Sequence, residues 1–308
     1  MDNSFSNQHK RTKQSAYWDD LVNGTTGRYK EAWIEKLVHE HLELSGGALL
    51  DIGCGSSAFI LAFRDRTRAS SVTFLDYDEH IIQRMRQKNQ GAGIDFQVAD
   101  ILSSPVKGRF DLVFFLDMLH EVYSFHGRPE LDMERPVDHQ RGMKAVEKAV
   151  TRISQVVNPG GGIVITDNVL CEENGTVEVE VLHAAVKQAL VRFFAEYATR
   201  HIPCQWLDSN RFAINARDFC ILLTQYNKIK NKDEARWATE RMEIHQYMTL
   251  SEYRALFENL RYTLYHEIGT PRSAYEEWCQ DFRVVRGMDR IPQKRITLLA
   301  VKRPERGA

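Results

Sequence analysis

Apolar and polar residues alternate along the chain with two different periods. Apolar runs of four to seven residues, typical of buried strands, recur in the first half of the sequence and again near its end. These runs are Ala48 to Ile52, Val72 to Leu75, Ile94 to Val98, Phe110 to Leu116, Gly162 to Thr166, Tyr262 to Ile268 and Ile296 to Val301. Helical spacing of apolar residues lies between them, for example from Ile81 to Met85 and from Ala145 to Val157. Strands that alternate with helices predict a parallel sheet covered on both faces, which is an α/β fold.

A long helical pattern interrupts this alternation after Val169. Apolar residues from Val181 to Tyr197 repeat at helical spacing, and further helical segments continue to about Tyr262. We therefore expect four parts: an N-terminal arm (1–28), a core (29–169), a helical insertion that forms a substrate lid (170–262), and the last two strands (263–308). The outer surface of the insertion could equally form a dimer contact, so we expect a monomer or a homodimer.

Composition narrows the classes of protein to which the chain can belong. Of its 308 residues, 43% are hydrophobic and 27% are charged, which is ordinary for a soluble protein. The apolar runs fall short of the roughly 18 residues that span a bilayer, and the N-terminus lacks the apolar stretch of a secretory signal. A net charge of −1 gives no field that would hold a polyanion. We expect a cytoplasmic protein with neither a membrane nor a nucleic acid as its partner.

A glycine loop, LLDIGCGSSA, follows the first apolar run. Its spacing, Gly53-x-Gly55-x-x-Ala58, fits the fingerprint of dinucleotide-binding folds. Glycine lets the backbone turn sharply and lets a ligand approach the main chain closely. A nicotinamide or flavin enzyme is therefore the first candidate, and the surrounding residues must decide which ligand is bound.

Carboxylates stand at or near the end of each of the first five predicted strands. They are Asp51, Asp76, Asp100, Asp117 and Asp167. Asp76 could accept both hydroxyls of a ribose, but Asp51 would repel a pyrophosphate and attract a cationic ligand. Asp100 could accept from an exocyclic amine while Ile101 covers the face of the base. Ribose, adenine and a cationic tail together describe S-adenosylmethionine and exclude a dinucleotide.

At these positions the chain resembles the class I, Rossmann-like S-adenosylmethionine-dependent methyltransferases, which have seven strands. The similarity covers about Trp33 to Val169 and rests on five motifs in order: LLDIGCGSS, VTFLDYDEHI, FQVADIL, FDLVFFLDMLHEV and VVNPGGGIVITD. Ser57 departs from the pattern, since the family often has a third glycine there. The resemblance implies a three-layer, mostly parallel sheet with an antiparallel last strand, and it places the helical insertion between strands five and six.

The resemblance also implies a cofactor pocket. Gly53 and Gly55 would contact the methionine part through their backbones, and Leu116 would lie beneath the cofactor. The predicted cofactor-binding residues are Asp51, Gly53, Cys54, Gly55, Asp76, Tyr77, Asp100, Ile101 and Leu116. The expected cofactor is S-adenosyl-L-methionine, and the expected product is S-adenosyl-L-homocysteine.

His120 follows the fourth strand, where this family presents residues to the methyl acceptor. A hydroxyl or a protonated amine must lose a proton when it is methylated, and a group that titrates near neutral pH suits that task. We predict His120 as the catalytic residue, either a base or an orienting group; the alternative is a helix-start histidine with structural hydrogen bonds. The predicted substrate-binding residues are Tyr17, Tyr29, Asp117 and Glu121.

Asp117 together with Asp167 and Asn168 matches positions at which catechol-type O-methyltransferases bind magnesium. Two carboxylates and an amide oxygen suit a hard divalent cation. The segment after Asp117 reads MLHEV, however, which is closer to the metal-free members, and the insertion follows Asn168 almost at once. We expect no divalent metal.

Several functions remain open at this level. The favoured one is methylation of an oxygen or nitrogen atom of a small molecule in specialised metabolism. Alternatives on the same fold are a methyltransferase for a peptide or RNA, a propylamine transferase, and a non-catalytic S-adenosylmethionine-binding scaffold. Near-zero net charge disfavours RNA, the complete methionine-end motif disfavours propylamine transfer, and intact acids on every strand disfavour a decayed scaffold.

Overall fold

The computed structural model describes residues 25–54, 58–133, 135–197 and 199–304. The strands are β1 (Ala48–Ile52), β2 (Ser71–Asp76), β3 (Ile94–Val98), β4 (Phe110–Leu116), β5 (Val157–Asn168), β6 (Thr176–Val181), β7 (Cys204–Trp206), β8 (Arg211–Asn215), β9 (Tyr262–Gly269), β10 (Phe282–Arg286) and β11 (Arg295–Lys302). The helices are α1 (Thr25–His41), α2 (Ala58–Thr67), α3 (Glu79–Lys88), α4 (Leu119–His126), α5 (His139–Ser154), α6 (Ala184–Glu196), α7 (Ala216–Lys230), α8 (Glu234–Glu240), α9 (Leu250–Asn259) and α10 (Arg272–Asp281), with a short 3₁₀ turn at Pro129–Leu131.

A seven-stranded sheet forms the centre of the molecule. Its strand order is β3-β2-β1-β4-β5-β11-β9, with β1 to β5 parallel and β11 antiparallel to both of its neighbours. This confirms the predicted sheet and its antiparallel last strand. The order of the strands switches between β1 and β4: β2 and β3 lie on one side of β1, and β4 and β5 lie on the other. In such folds the ligand lies in the crevice beyond the carboxyl ends of the strands at this switch point.

Both faces of this sheet are buried at its central strands, which explains why a strand such as β4 is a nearly continuous apolar run. Along β4, Leu112 and Phe114 belong to the core beneath α1, α2 and α3. Val113 and Phe115, the alternate residues, belong to the core that includes α5. Side chains of a strand alternate between the two faces, so a strand covered on both sides requires apolar residues at every position.

The insertion contains helices α6 to α9, as predicted, and also strands that the sequence analysis did not predict. A four-stranded antiparallel sheet has the order β10-β6-β8-β7. In β6, Val177, Val179 and Val181 are buried while Glu178 and Glu180 are partly exposed, the alternation typical of a half-buried strand. β10 lies in the C-terminal part of the chain, after residue 263, but pairs with β6 of the insertion. The second sheet therefore joins two of the predicted parts, and the domain limits at 169 and 262 stay a prediction.

Among residues 25–54, 58–133, 135–197 and 199–304, no helix is both long enough and apolar enough to cross a membrane.

Candidate active site

A tight turn leaves β1 at the glycine loop. Gly53 has a φ of 73°, in the left-handed region, and its backbone N–H donates to the carbonyl of Leu75 at 2.9 Å. A Cβ at Gly53 would lie 3.3 Å from Cβ of Met118, so both the conformation and the space favour glycine. Gly55 and Ser57 lie outside the described residues, so the predicted role of Gly55 stays a prediction.

Two carboxylates of like charge lie together at the ends of β1 and β2. Asp51 is 3% exposed and Asp76 is 9% exposed. Burial and the negative charge of Asp76 raise the pKa of Asp51 to about 8. Oδ1 of Asp76 accepts the backbone N–H of Asp78 at 2.8 Å, which fixes the carboxylate at the turn. A cationic ligand bound here would relieve the repulsion and favour the ionised form of Asp51.

Cys54 and Tyr77 flank these acids. Cys54 is buried, and burial, with the charges of Asp51 and Asp76, raises the pKa of its thiol, so the thiol stays neutral. Tyr77 is about half exposed, with a relative exposure of 50%. An exposed aromatic ring directly after Asp76 can pack against a flat ligand.

The end of β3 adds an acid and an apolar side chain. Oδ1 of Asp100 accepts the backbone N–H of Leu102 at 2.8 Å, and its Oδ2 accepts the hydroxyl of Ser103 at 2.7 Å. Ile101 is buried beside it. Asp100 therefore caps a turn, and each carboxylate oxygen has a further lone pair that could accept from an amine. Leu116, the last residue of β4, is partly buried against the core on the α1 face.

A histidine–aspartate pair lies where β4 and β5 end. Nδ1 of His120 lies 2.9 Å from Oδ1 of Asp167, and the backbone N–H of His120 donates to Oδ2 at 3.1 Å. Asp167 thus holds both the imidazole ring and the first turn of α4. Burial lowers the pKa of His120, but the charge and the hydrogen bond of Asp167, together with the charges of Glu243 and Glu121, leave that pKa above its ordinary value. Asp117, with a φ of 53°, makes the sharp turn from β4 into α4.

The segment between α8 and α9 covers the other side of the His120 ring. Nε2 of His120 lies 3.9 Å from Oε2 of Glu243, and its ring centroid lies 4.4 Å from that of His245. Burial lowers the pKa of His245 to about 4, although Oε2 of Glu240 lies 2.5 Å from its Nε2. Sequence reasoning missed Glu243 and His245, because more than 120 residues separate them from His120 and no motif marks them.

Two tyrosines lie behind Asp167. The hydroxyl of Tyr247 lies 3.5 Å from Oδ2 of Asp167, and Tyr253 donates to the hydroxyl of Tyr247 at 3.0 Å. Sequence reasoning connected neither tyrosine with Asp167, which it identified as a strand-end acid and as a possible magnesium ligand.

Asp117 pairs with two cations. Lys30 and Arg295 both form ion pairs with its carboxylate, and Nη1 of Arg295 also donates to Oδ1 of Asn168 at 3.3 Å. The guanidinium of Arg295 thus contacts Asp117 and Asn168, two of the three residues that were considered as magnesium ligands. The predicted role of Asp117 in substrate binding stays a prediction.

The other predicted substrate residues have separate locations. Tyr29 packs against the end of β9: a Cβ at Gly269 would lie 2.3 Å from its hydroxyl, and its ring lies 3.9 Å from that of Trp33. In the strand order, β9 is two strands from β5. Glu121 follows His120 in α4, and its charge helps to raise the pKa of that histidine. Tyr17 lies outside the described residues. The roles of Tyr29, Glu121 and Tyr17 stay predictions.

Comparison with known proteins adds relatives by sequence. A ubiquinone biosynthesis O-methyltransferase of Azotobacter vinelandii is 35% identical over 94 residues, which are 29% of this chain and 38% of that protein. One of Pseudomonas paraeruginosa is 33% identical over the same shares. The chain therefore spans less than two fifths of the length of the curated relatives that it matches.

Solved structures include two whole-length matches of low identity. The N-methyltransferase NodS from Bradyrhizobium japonicum, in complex with S-adenosyl-L-homocysteine, is 13% identical with a TM-score of 0.48, and the match covers 98% of this chain and 99% of that one. An S-adenosylmethionine-dependent methyltransferase from Mesorhizobium loti is 15% identical with a TM-score of 0.49, covering 92% of this chain and 100% of that one.

A family model described as a methyltransferase domain matches residues 43–235, which is more than half of the chain. This segment contains the glycine loop, the acids of the strand ends and the His120–Asp167 pair. The protein therefore belongs to the class I, Rossmann-like S-adenosylmethionine-dependent methyltransferases.

Proposed function

We propose that this enzyme methylates an oxygen or nitrogen atom of a small molecule in the biosynthesis of a specialised metabolite, and that the reaction takes place at His120. The observation that carries the proposal is the His120–Asp167 pair at the carboxyl ends of β4 and β5, on the edge that presents the glycine loop. Both partners are nine-tenths buried or more.

The cofactor would lie across the ends of β1, β2, β3 and β4. Asp51 and Asp76 lie together and favour a ligand that carries positive charge, which S-adenosylmethionine has in its sulfonium and ammonium groups. In this proposal Asp76 accepts from the ribose, Asp100 and Ile101 hold the adenine, and the backbone of Gly53 and Cys54 borders the methionine part. Tyr77 and Leu116 complete the predicted pocket.

Methyl transfer is an in-line displacement, so alignment of the acceptor with the sulfonium methyl supplies much of the acceleration. The new bond forms between the methyl carbon and the acceptor atom, and the electron pair of the broken bond stays on sulfur. A hydroxyl or a protonated amine also releases one proton. Because Asp167 binds Nδ1 of His120, Nε2 is the ring atom that meets the acceptor, either by taking this proton or by orienting the reacting group.

Enclosure of His120 supports a small acceptor. Its side chain is only 7% exposed, and Glu243 and His245 of the insertion lie over it. An acceptor atom must therefore reach the ring beneath the insertion, which a small molecule can do more readily than a folded nucleic acid. The net charge of −1 likewise gives no general attraction for RNA. The relatives in Azotobacter and Pseudomonas are named as O-methyltransferases, which supports an oxygen atom as the target.

The experiment incubates the full-length protein with methyl-labelled S-adenosylmethionine and three acceptor preparations: a host metabolite extract, transfer RNA and a peptide mixture. We expect a labelled product from the metabolite extract alone, identified by mass spectrometry. The product should be lost with His120→Asn and kept with His183→Asn, a change at an exposed histidine. Label in the RNA or the peptides, with none in the metabolites, would refute the proposal.

A further inference from the structure

Three potential metal ligands meet at the outer side of the His120 ring. One ring nitrogen each of His120 and His245 and one carboxylate oxygen of Glu243 all lie within 4.8 Å of one another. Oε2 of Glu243 is 3.9 Å from Nε2 of His120 and 3.7 Å from Nε2 of His245. We propose that these three side chains bind a divalent transition-metal ion, with zinc as the preferred ion.

The number and kind of ligands favour zinc. Two imidazoles and one carboxylate, with a fourth position left open, are a ligand set typical of catalytic zinc sites. Ligands about 2.0–2.2 Å from a tetrahedral ion lie roughly 3.3–3.6 Å apart, so side-chain movements of less than about 1 Å would close the site. Hard cations such as magnesium prefer sites made of oxygen atoms alone.

Asp167 supplies the support that a metal-bound histidine usually has. A histidine that ligates a metal generally donates its other ring N–H to a carboxylate or a carbonyl, which fixes the tautomer and the ring orientation. Here Nδ1 of His120 lies 2.9 Å from Oδ1 of Asp167, so the lone pair of Nε2 faces Glu243 and His245.

Backbone contacts hold the two outer ligands in place. The N–H of Ile244, between Glu243 and His245, donates to the hydroxyl of Ser124 at 2.9 Å, and Ser124 lies on α4 with His120. The N–H of Leu170 donates to the carbonyl of Met248 at 2.9 Å. The ligands from the insertion and the ligand from the core are therefore fixed relative to one another without the ion.

An ion-pair cluster is the competing interpretation of the same residues. Oε2 of Glu240 lies 2.5 Å from Nε2 of His245 and 2.7 Å from Nζ of Lys228. When His245 binds the ion, Glu240 keeps Lys228 as its partner, so the carboxylate of Glu240 keeps a counter-charge. Metal binding that persists without Glu240 separates the two interpretations.

This site differs from the magnesium hypothesis of the sequence, which used Asp117, Asp167 and Asn168. The inference goes beyond the proposed function, since metal binding needs neither cofactor nor acceptor. A bound ion would lower the pKa of an acceptor hydroxyl at its open position. His120 would then orient the acceptor through the ion rather than take its proton.

The experiment strips the full-length protein with a chelator and titrates it with zinc by calorimetry and with cobalt by visible absorption. We expect one ion per chain and cobalt bands of a four- or five-coordinate site. Glu243→Gln and His245→Asn should each weaken zinc binding by about 100-fold or more, and Asp167→Asn by about 10- to 100-fold. Glu240→Gln and His183→Asn should bind zinc like the wild type.

Circular dichroism and thermal unfolding in the chelator check that each variant is folded. The inference is overturned if the wild type binds no zinc, or if Glu243→Gln binds it as well as the wild type, which would indicate adventitious binding. It is also overturned if Glu240→Gln abolishes binding, because the ion-pair cluster would then explain the geometry. If no zinc binds, methyl transfer to a small molecule by the same metal-free protein would show that the proposed function holds although this inference has failed.

Discussion

Buried acids have different neighbours in two halves of the same sheet edge: in one half an acid lies beside another acid, and in the other half acids lie beside basic side chains. We call the ends of β1, β2 and β3 the cofactor edge, and the ends of β4, β5 and β11 with the insertion above them the acceptor side. At the cofactor edge, burial and the negative charge of Asp76 disfavour the ionised form of Asp51. On the acceptor side, Asp117 faces Lys30 and Arg295, Asp167 faces His120, and Glu240 faces Lys228.

This difference indicates where each half obtains its balancing charge. On the acceptor side, Asp117, Asp167 and Glu240 each have a basic side chain of the protein as a partner, so these three acids need no counter-charge from a ligand. The cofactor edge holds two acids together, which favours a cation supplied from outside. Removing a charged side chain should therefore affect different properties in the two halves. On the acceptor side it should lower stability or turnover, and at the cofactor edge it should lower the affinity for the cofactor.

The largest expected effect is on turnover, from a change on the acceptor side. His120→Ala should lower kcat by about 10²- to 10⁴-fold, the usual contribution of a group that handles the acceptor's proton. S-adenosylmethionine affinity, measured by calorimetry, should stay within about twofold of the wild type, since the contacts that the structure gives His120 lie on the acceptor side. A variant that keeps full activity with the identified acceptor would leave His120 with only a structural role.

Arg295→Met tests the buried ion pairs of the acceptor side. It leaves Asp117 and Asn168 without the guanidinium and should lower the free energy of unfolding by about 3–5 kcal/mol, measured in urea. Arg283→Met is the matched control, because Arg283 pairs with Glu180 at the surface and should cost at most about 1 kcal/mol. Equal effects of the two variants would contradict the stabilising role assigned to the buried ion pairs of the acceptor side.

Asp76→Ala makes the corresponding change at the cofactor edge. It removes the acid proposed to accept from the ribose and should weaken S-adenosylmethionine binding about 100-fold, or about 3 kcal/mol. Asp95→Ala, at an exposed position of β3, is the control and should bind normally. NAD should bind to neither protein. Unchanged affinity in Asp76→Ala would place the cofactor elsewhere.

Asp51 should make the stability of the protein depend on pH. Its folded-state pKa of about 8 lies above the roughly 3.9 of an unfolded aspartate, so the folded state holds the proton more tightly. Without cofactor, stability should therefore fall as pH rises from about 4 to 8, by up to about 1.4 kcal/mol per unit relative to Asp51→Asn. Urea unfolding of both proteins across this range measures the difference.

Cofactor binding should show the reverse dependence on pH. Cationic groups of S-adenosylmethionine favour the ionised carboxylate, so wild-type affinity should rise between pH 6 and 7.5, and Asp51→Asn should show little change. A flat wild-type profile would mean that Asp51 does not sense the bound cofactor.

The apolar runs of the sequence predicted most of the strands of the seven-stranded sheet. The limits of β1, β3 and β4 agree with the predicted runs to the residue. β1 and β4 are largely buried and mostly apolar, as strands covered on both faces must be, whereas β3 is a partly exposed edge strand. The second sheet was missed, although β6 alternates valine and glutamate, because β7 has only three residues and the helical pattern dominated the insertion. Its strands pair across long separations, as β6 does with β10, and such pairing leaves no local pattern.

The sequence by itself determined the cofactor class. In a parallel sheet the carboxyl ends of all strands lie on one edge, so acids such as Asp51, Asp76 and Asp100 are brought together by the topology alone. Tertiary structure alone decided what surrounds His120: Asp167 is 47 residues away, and Glu243 and His245 come from the insertion. The packing of that insertion on the core depends on many apolar contacts between distant residues, and no single one of them marks its partner in the sequence.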